Sequence, residues 1–258
     1  MTTTTHPAAT FCFAELVMAA DLDAARRFYS PLLGWTLDER PGSPGEYAMF
    51  RRGGSDVAGM RRHAAGEPGW IAYVHVPDVD ASVARARELG AAIVTPPVED
   101  PGLARRAVIR DPEGAVLGLW EPRGFAGTQL ETGPGSLWWV ELATGDMTAA
   151  RAFYAALFGW RLDHTTRFDN GPHGYTLFKV GDRSAAGAFQ FEPEWMMTPV
   201  WQVYYKVDDF AATAARACEL GGEQGFWRDA PNAGRIGVLV DPGGASFLIA
   251  QPLASPGA

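Results

Sequence analysis

The sequence predicts an α+β fold made of four β-α-β-β-β modules paired into two tandem domains. Three observations carry this reading. First, the second half repeats the first. AARRFYSPLLGW at 24–35 matches AARAFYAALFGW at 149–160, an offset of 125, and three more ordered matches follow at offsets of 128, 131 and 130. Four matches in order with so small a drift mark a duplication, with loop insertions as the difference. Second, each half contains the pattern strand, helix, three short strands twice over. Third, 258 residues with 47% hydrophobic and 20% charged side chains suit two soluble domains of about 120 residues, each able to bury a core.

The elements follow in order. Residues 11–34 read as a strand, Asp21 as a helix N-cap, and a helix ending at Gly34. The β-like runs WTLDER, YAMFRR and DVAGM come next. Residues 70–90 repeat the theme: strand WIAYVHV, Asp78 at the helix start, a helix ending at Gly90, then AIVTP, RRAVIR and AVLGLW. Aspartate caps the orphan N–H groups of a first turn, and glycine takes the left-handed turn after the last one. The segment EPRGFAGTQLETGPGS (121–136) is rich in Gly and Pro and reads as a linker, which sets domains at 10–121 and 136–253 with 122–135 between them. The second half opens with LWWVELAT, a helix to Gly159 and three strands, then VWQVYYKV, a helix to Gly221 and three strands.

Composition excludes some functions. A net charge of -8 argues against nucleic acid, and the Arg pairs at 26–27, 51–52, 61–62 and 105–106 are separate, as on a solvated face. No apolar run approaches the ~18 residues of a membrane span. The stretch MTTTTHPAAT reads as a short arm without the blocks of a signal peptide, and two reduced thiols, Cys12 on a strand and Cys218 on a helix, fit a cytoplasmic protein. No phosphate loop, serine elbow or CxxC pair appears.

The segments DLDAARRFYSPLLGW, DVDASVARARELGA and RDPEGAVLGLWEP, with their partners in the second copy, resemble the vicinal oxygen chelate superfamily, the group of glyoxalase I, the extradiol dioxygenases, fosfomycin-resistance enzymes and bleomycin-binding proteins. The resemblance implies two tandem glyoxalase-like domains whose mixed, concave sheets each enclose a cavity. It also implies where a metal would sit. Family enzymes carry a His or Gln about seven residues before the helix-opening Asp, and a Glu about seven residues after the Asp of DPxG. In this chain those places hold Ala14, Ile71, Trp139 and Gln202, and then Gly118 and Leu248. The last strands around Gly59 and Gly187 carry no acid. A divalent ion needs about three nitrogen or oxygen ligands. The expectation is therefore no metal and no other cofactor.

Strand parity then selects the inward residues. Aligning FCFAEL with LWWVEL pairs Glu15 with Glu141 and places Phe13 and Trp139 at the ligand position. Side chains alternate faces along a strand, so Trp139 and Glu141 share one. By the same rule cavity one holds Phe13, Glu15, Tyr73, His75 and Trp120, and cavity two holds Trp139, Glu141, Gln202, Tyr204 and Lys206. Aromatic walls with a few polar groups suit a flat organic molecule. Glu15 or Glu141 as base, with Tyr73, His75 or Tyr204 as acid, also suit isomerase, lyase or cyclase chemistry. Two readings stay open. One is metal-independent binding of a small aromatic metabolite or antibiotic. The other is a glyoxalase-type enzyme, metal-free or with a divergent divalent-metal site that uses Glu15, Glu141 and Gln202. A monomer or homodimer fits either. Arg105 and Arg235, six residues before the DP turns, are candidates to bind an inward Glu or a ligand anion. His164 and His173 read as loop histidines, and FQFEPEWMMTP (189–199) as an adaptable lip.

Overall fold

A computed structural model describes residues 6–18, 22–39, 47–62, 69–165, 174–231 and 233–253, with only the backbone for 164 and 165. Asp21, His173 and the loop interiors 40–46 and 166–173 lie outside the described residues.

Each module is a strand, a helix and three strands. The first comprises β1 (Phe11–Met18), α1 (Leu22–Leu33), β2 (Thr36–Glu39), β3 (Tyr47–Arg52) and β4 (Ser55–Arg62). The second is β5 (Gly69–His75), α2 (Val79–Glu88), β6 (Ala92–Asp100), β7 (Ala104–Arg110) and β8 (Val116–Pro122). The third is β9 (Leu137–Thr144), α3 (Met147–Phe158), β10 (Arg161–Thr165), β11 (Tyr175–Val180) and β12 (Arg183–Gln190). The fourth is β13 (Val200–Lys206), α4 (Phe210–Glu219), β14 (Glu223–Ala230), β15 (Gly234–Val240) and β16 (Ser246–Gln251). The caps set the helix ends. Asp78, Asp146 and Asp209 accept from the first-turn amides of α2, α3 and α4. Gly34, Gly90, Gly159 and Gly221 follow the four helices with φ of 68, 91, 70 and 88°, the left-handed turn that a Cβ disfavours. No described helix is long and apolar enough to cross a membrane.

The strands order β2-β3-β4-β1-β5-β8-β7-β6 in one sheet and β10-β11-β12-β9-β13-β16-β15-β14 in the other. Both sheets are mixed. The pairs β1/β4, β5/β8, β9/β12 and β13/β16 run parallel, while the hairpins within each module are antiparallel.

The chain forms two compact units. One comprises Met1–Cys12, Ile71–Gly127 and Val140–Gln202, and so joins the second module to the third. The other comprises Phe13–Trp70, Thr128–Trp139 and Val203–Ala258, joining the first module to the fourth. Each has an aromatic centre of the same design. In the first unit Tyr154 packs against Trp160, Phe178 and Trp201. In the second, Tyr29 packs against Trp35, Phe50, Trp70 and Phe247. The recurrent Phe-Tyr of α1 and α3 is therefore core, as are Trp35 and Trp160 beyond the helix ends. Segment 121–136 contributes buried Phe125, Thr128 and Ser136.

Candidate functional site

In the unit built from the first and fourth modules, Glu15 sits on β1 opposite Gly59 of β4. Arg61, two residues on, returns to the same face and reaches back. Its Nε and Nη2 donate to Glu15 Oε2 and Oε1, both at 3.2 Å. The carboxylate is fully buried and the guanidinium 17% exposed. A buried carboxylate is tolerated only when paired and hydrogen-bonded, and the planar fork supplies both conditions. The Tyr47 ring lies under the guanidinium, 4.6 Å from its centroid to Arg61 Cζ, in cation–π range. Phe13 is fully buried on the same strand face as Glu15.

In the unit built from the second and third modules, Glu141 of β9 lies opposite Gly187 of β12. It is nearly buried. The Tyr175 hydroxyl donates to Glu141 Oε2 at 2.6 Å, the length of a charge-assisted bond. The two copies thus hold equivalent acids by different means. Tyr47 and Tyr175 are equivalent, but Phe189 stands where the first copy has Arg61.

The remaining candidates fall into the same two groups. The first unit holds Tyr73, His75, Trp120 and Gln202. Tyr73 and Trp120 are fully buried, with ring centroids 5.2 Å apart. The Trp120 indole donates to the Phe125 carbonyl at 3.0 Å. His75 is half-buried, with Nδ1 2.6 Å from the His6 carbonyl. A carbonyl only accepts, so Nδ1 carries the hydrogen and Nε2 is the basic nitrogen. Gln202 is half-buried. The second unit holds Trp139, Tyr204 and Lys206. Tyr204 forms an apolar cluster with Leu248 and Ala250, against which Trp138, Trp139, Ile236 and Val238 pack. Lys206 is half-buried at the strand end.

Arg105 and Arg235 do not serve the inward acids. Arg105 forks onto Asp80 at 2.7 and 2.8 Å and also reaches Glu99, while Arg235 forks onto Asp229. The Arg105 fork draws the Asp80 carboxyl below its ordinary range, and Arg235 does the same to Asp229. Asp80 sits in the first turn of α2, and Asp229 lies directly opposite Arg235 on the neighbouring strand β14, so each guanidinium is taken by a nearby acid. Two surface clefts, of about 390 Å³ around Arg235 and Leu253 and about 230 Å³ around Glu113 and Phe153, are lined by none of the inward candidates.

The donor set does not fit the family's metal. Among the described residues no three His, Cys, Asp or Glu side chains come together to hold an ion. In the first copy, aromatic rings fill the space instead. A Cβ added at Gly59 would stand 2.8 Å from Phe13 Cζ and 2.9 Å from the Tyr47 hydroxyl, and one added at Gly118 would run into the Tyr73 ring. Gly118 is where a ligating Glu would project. Of the carboxylates, Glu15 is held by Arg61 and Glu141 by Tyr175.

Sequence reasoning missed Arg61, Tyr47 and Tyr175. The signal was present. Tyr47 and Tyr175 belong to one repeat match, and Arg61 shares the strand face of Gly59.

The comparisons agree with this architecture. A family model described as "Glyoxalase-like domain" matches residues 11–119 and again 139–250. CFP32 of Mycobacterium tuberculosis, named as a candidate glyoxylase, is 36% identical over 245 residues, 92% of each chain. The anthracycline biosynthesis protein DnrV of Streptomyces peucetius is 33% identical over 252 residues, 90% of this chain and 89% of that protein. Among solved structures, the Mn(II)-bound glyoxalase from Novosphingobium aromaticivorans superposes with a TM-score of 0.63 at 17% identity, covering 95% of this chain and 83% of that one. A variant of homoprotocatechuate 2,3-dioxygenase from B. fuscum gives 0.64 at 18%, covering 98% and 74%. At these identities the structures share the fold.

Proposed function

The chain belongs to the glyoxalase-like family of the vicinal oxygen chelate superfamily, and on that footing we propose that it binds a small, flat aromatic metabolite or antibiotic without a resident metal. The observation that carries the proposal is the filling of the first copy's ligand positions by rings: Phe13 over Gly59 and Tyr73 over Gly118. Both rings are fully buried and would have to leave before an ion could be ligated, which supports the metal-free half of the reading. In the second copy, half-buried Trp138 and Trp139 beside Tyr204 offer aromatic surface. Aromatic rings offer large contact area and stacking geometry to a flat ligand. The naming of DnrV for anthracycline biosynthesis supports the ligand class, since anthracyclines are flat polycyclic aromatics. The test is calorimetric titration of the purified chain with polycyclic aromatics, with and without chelator. Equal affinity in both arms is the expected result; affinity that vanishes on chelation and returns with a divalent ion sinks the proposal.

One observation favours a second reading, a metal-free isomerase, lyase or cyclase. Glu141 and Tyr175 form a short carboxylate–phenol pair, which can take a proton from a bound molecule and hold it. On that reading Glu141 is the base, and Glu141→Gln abolishes turnover with little change in affinity.

A further inference from the structure

We propose that the cleft of about 230 Å³ at Glu113 binds a small organic ammonium ion, with the Glu113 carboxylate taking the charge and the apolar walls taking the hydrocarbon body. No residue of the aromatic surface described above lines this cleft, so the two sites stand or fall separately.

The cleft lies within the unit built from the second and third modules, where Leu89, Pro112, Ala149 and Phe153 line it beside Glu113. The corresponding corner of the other unit shows how the opening arises. Gly222 stands there at the position of Ala91, and a Cβ added to it would come 2.8 Å from Phe28 Cε2. Phe28 closes directly onto that backbone. In Ala91 a methyl already occupies the position, so Phe153, the counterpart of Phe28, has no such seat. Gly243 and Met18 stand at the positions of Glu113 and Thr144, and a Cβ at Gly243 would lie 3.1 Å from Met18 Cε. What is apolar packing in one unit is a polar contact in the other, where the Thr144 hydroxyl donates to Glu113 Oε2. Three replacements at one corner thus exchange close packing for a cleft with an acid.

Among the described residues no cation pairs with Glu113, whose charged neighbours are Asp111 and Asp146. Asp111 accepts from Tyr154 and its own turn amides, and Asp146 accepts from the first turn of α3. Partial burial, with the two like charges adding to it, holds the Glu113 carboxyl above its ordinary range. A carboxylate in such surroundings favours a cation beside it. A metal ion would need several oxygen ligands, and among the described residues no three acids or other ligating side chains converge. Apolar walls suit an organic cation instead. The volume lies below the ~300 Å³ at which sites for drug-sized molecules begin, which limits the body to about a single ring.

Amide NMR titration of the full chain at neutral pH with benzylammonium chloride, and with benzyl alcohol as its neutral counterpart, tests this. The expected result is saturable benzylammonium binding, with shifts centred on 111–113 and 149–153, and binding of the alcohol weaker by about tenfold or more, the worth of a hydrogen bond to a charged group. Glu113→Gln keeps the shape and the contact with Thr144 but removes the charge, and weakens benzylammonium by a similar factor. Ala149→Leu fills the cleft while leaving Glu113 in place, and abolishes binding. Each variant's amide spectrum reports its folding, and either variant alone decides the matter. No saturable binding of benzylammonium, equal affinity for the alcohol, or shifts confined to other regions overturns the proposal. So does affinity undiminished by both substitutions, which would mark general attraction to a chain of net charge -8.

Discussion

The Tyr154 hydroxyl donates to Asp111 Oδ2 at 2.6 Å, and the Tyr29 hydroxyl donates to Asp241 Oδ2 at 2.9 Å. The first bond ties the third module to the second, the other the first module to the fourth. Each phenol oxygen also accepts from a tryptophan indole, Trp201 at 2.8 Å and Trp70 at 3.1 Å. The other oxygen of each aspartate gathers the backbone amides of its own turn, Ala115 and Gly114 for Asp111, Ala245 and Gly243 for Asp241. A buried carboxylate with all these donors is satisfied without a cation.

Tyr154→Phe keeps the ring and strands both the Asp111 oxygen and the Trp201 indole. The expected cost is about 2–3 kcal/mol, because removing one partner leaves charged and polar groups buried. Tyr29→Phe costs a similar amount in the other unit. Urea unfolding midpoints measure both.

High pH attacks the same centres. Burial raises the Tyr29, Tyr154 and Tyr205 hydroxyls well above the ordinary tyrosine range, and for Tyr29 and Tyr154 the neighbouring aspartate adds to the shift. A group whose folded value lies above its unfolded value contributes stability below the unfolded value and loses it as pH rises. Stability therefore falls as pH climbs past about 10, the unfolded tyrosine value. The Tyr205 hydroxyl is buried without a hydrogen-bond partner among the described residues. Tyr205→Phe is expected to be neutral or stabilising at neutral pH and to make the alkaline loss shallower, as read from unfolding midpoints across the pH range.

Much of this fold was legible before the structure. Asp78 announced the start of its helix, and the glycines at 34, 90, 159 and 221 announced the ends of all four, because capping is local chemistry. The DP turns were legible as turns only. That Asp111 and Asp241 receive Tyr154 and Tyr29 depends on contacts 43 and 212 residues apart, which no local pattern encodes. Strand parity put Glu15 and Glu141 on an inward face, where both are buried, but gave no partners for them, since Arg61 and Tyr175 come from strands whose register the sequence leaves open. Arg105 and Arg235 were aligned by repeat position, yet a nearer acid on an adjacent element claims each of them.

Arg61→Met removes the cation that holds Glu15. A fully buried carboxylate losing its partner costs about 3–5 kcal/mol. The double variant Arg61→Met, Glu15→Met is expected to recover most of that loss, since the pair's desolvation disappears with it. A double-mutant cycle of unfolding free energies checks the coupling.

Gly118→Ala forces a new methyl into the Tyr73 ring. Overpacking of this kind costs about 1–3 kcal/mol. The same substitution at Gly114, where an added Cβ meets nothing within 4 Å but φ is 116°, costs through backbone strain instead. Thermal unfolding of the two variants, with the Tyr73 near-ultraviolet signal perturbed only in Gly118→Ala, separates the causes.

The most direct measurement is metal content of the purified chain by elemental mass spectrometry, with β-naphthol affinity determined before chelation, after it, and after refilling with manganese, iron, nickel or zinc. The account predicts divalent metal far below one ion per chain and one unchanged affinity throughout. About one ion per copy, with affinity lost on chelation and restored by refilling, would contradict it.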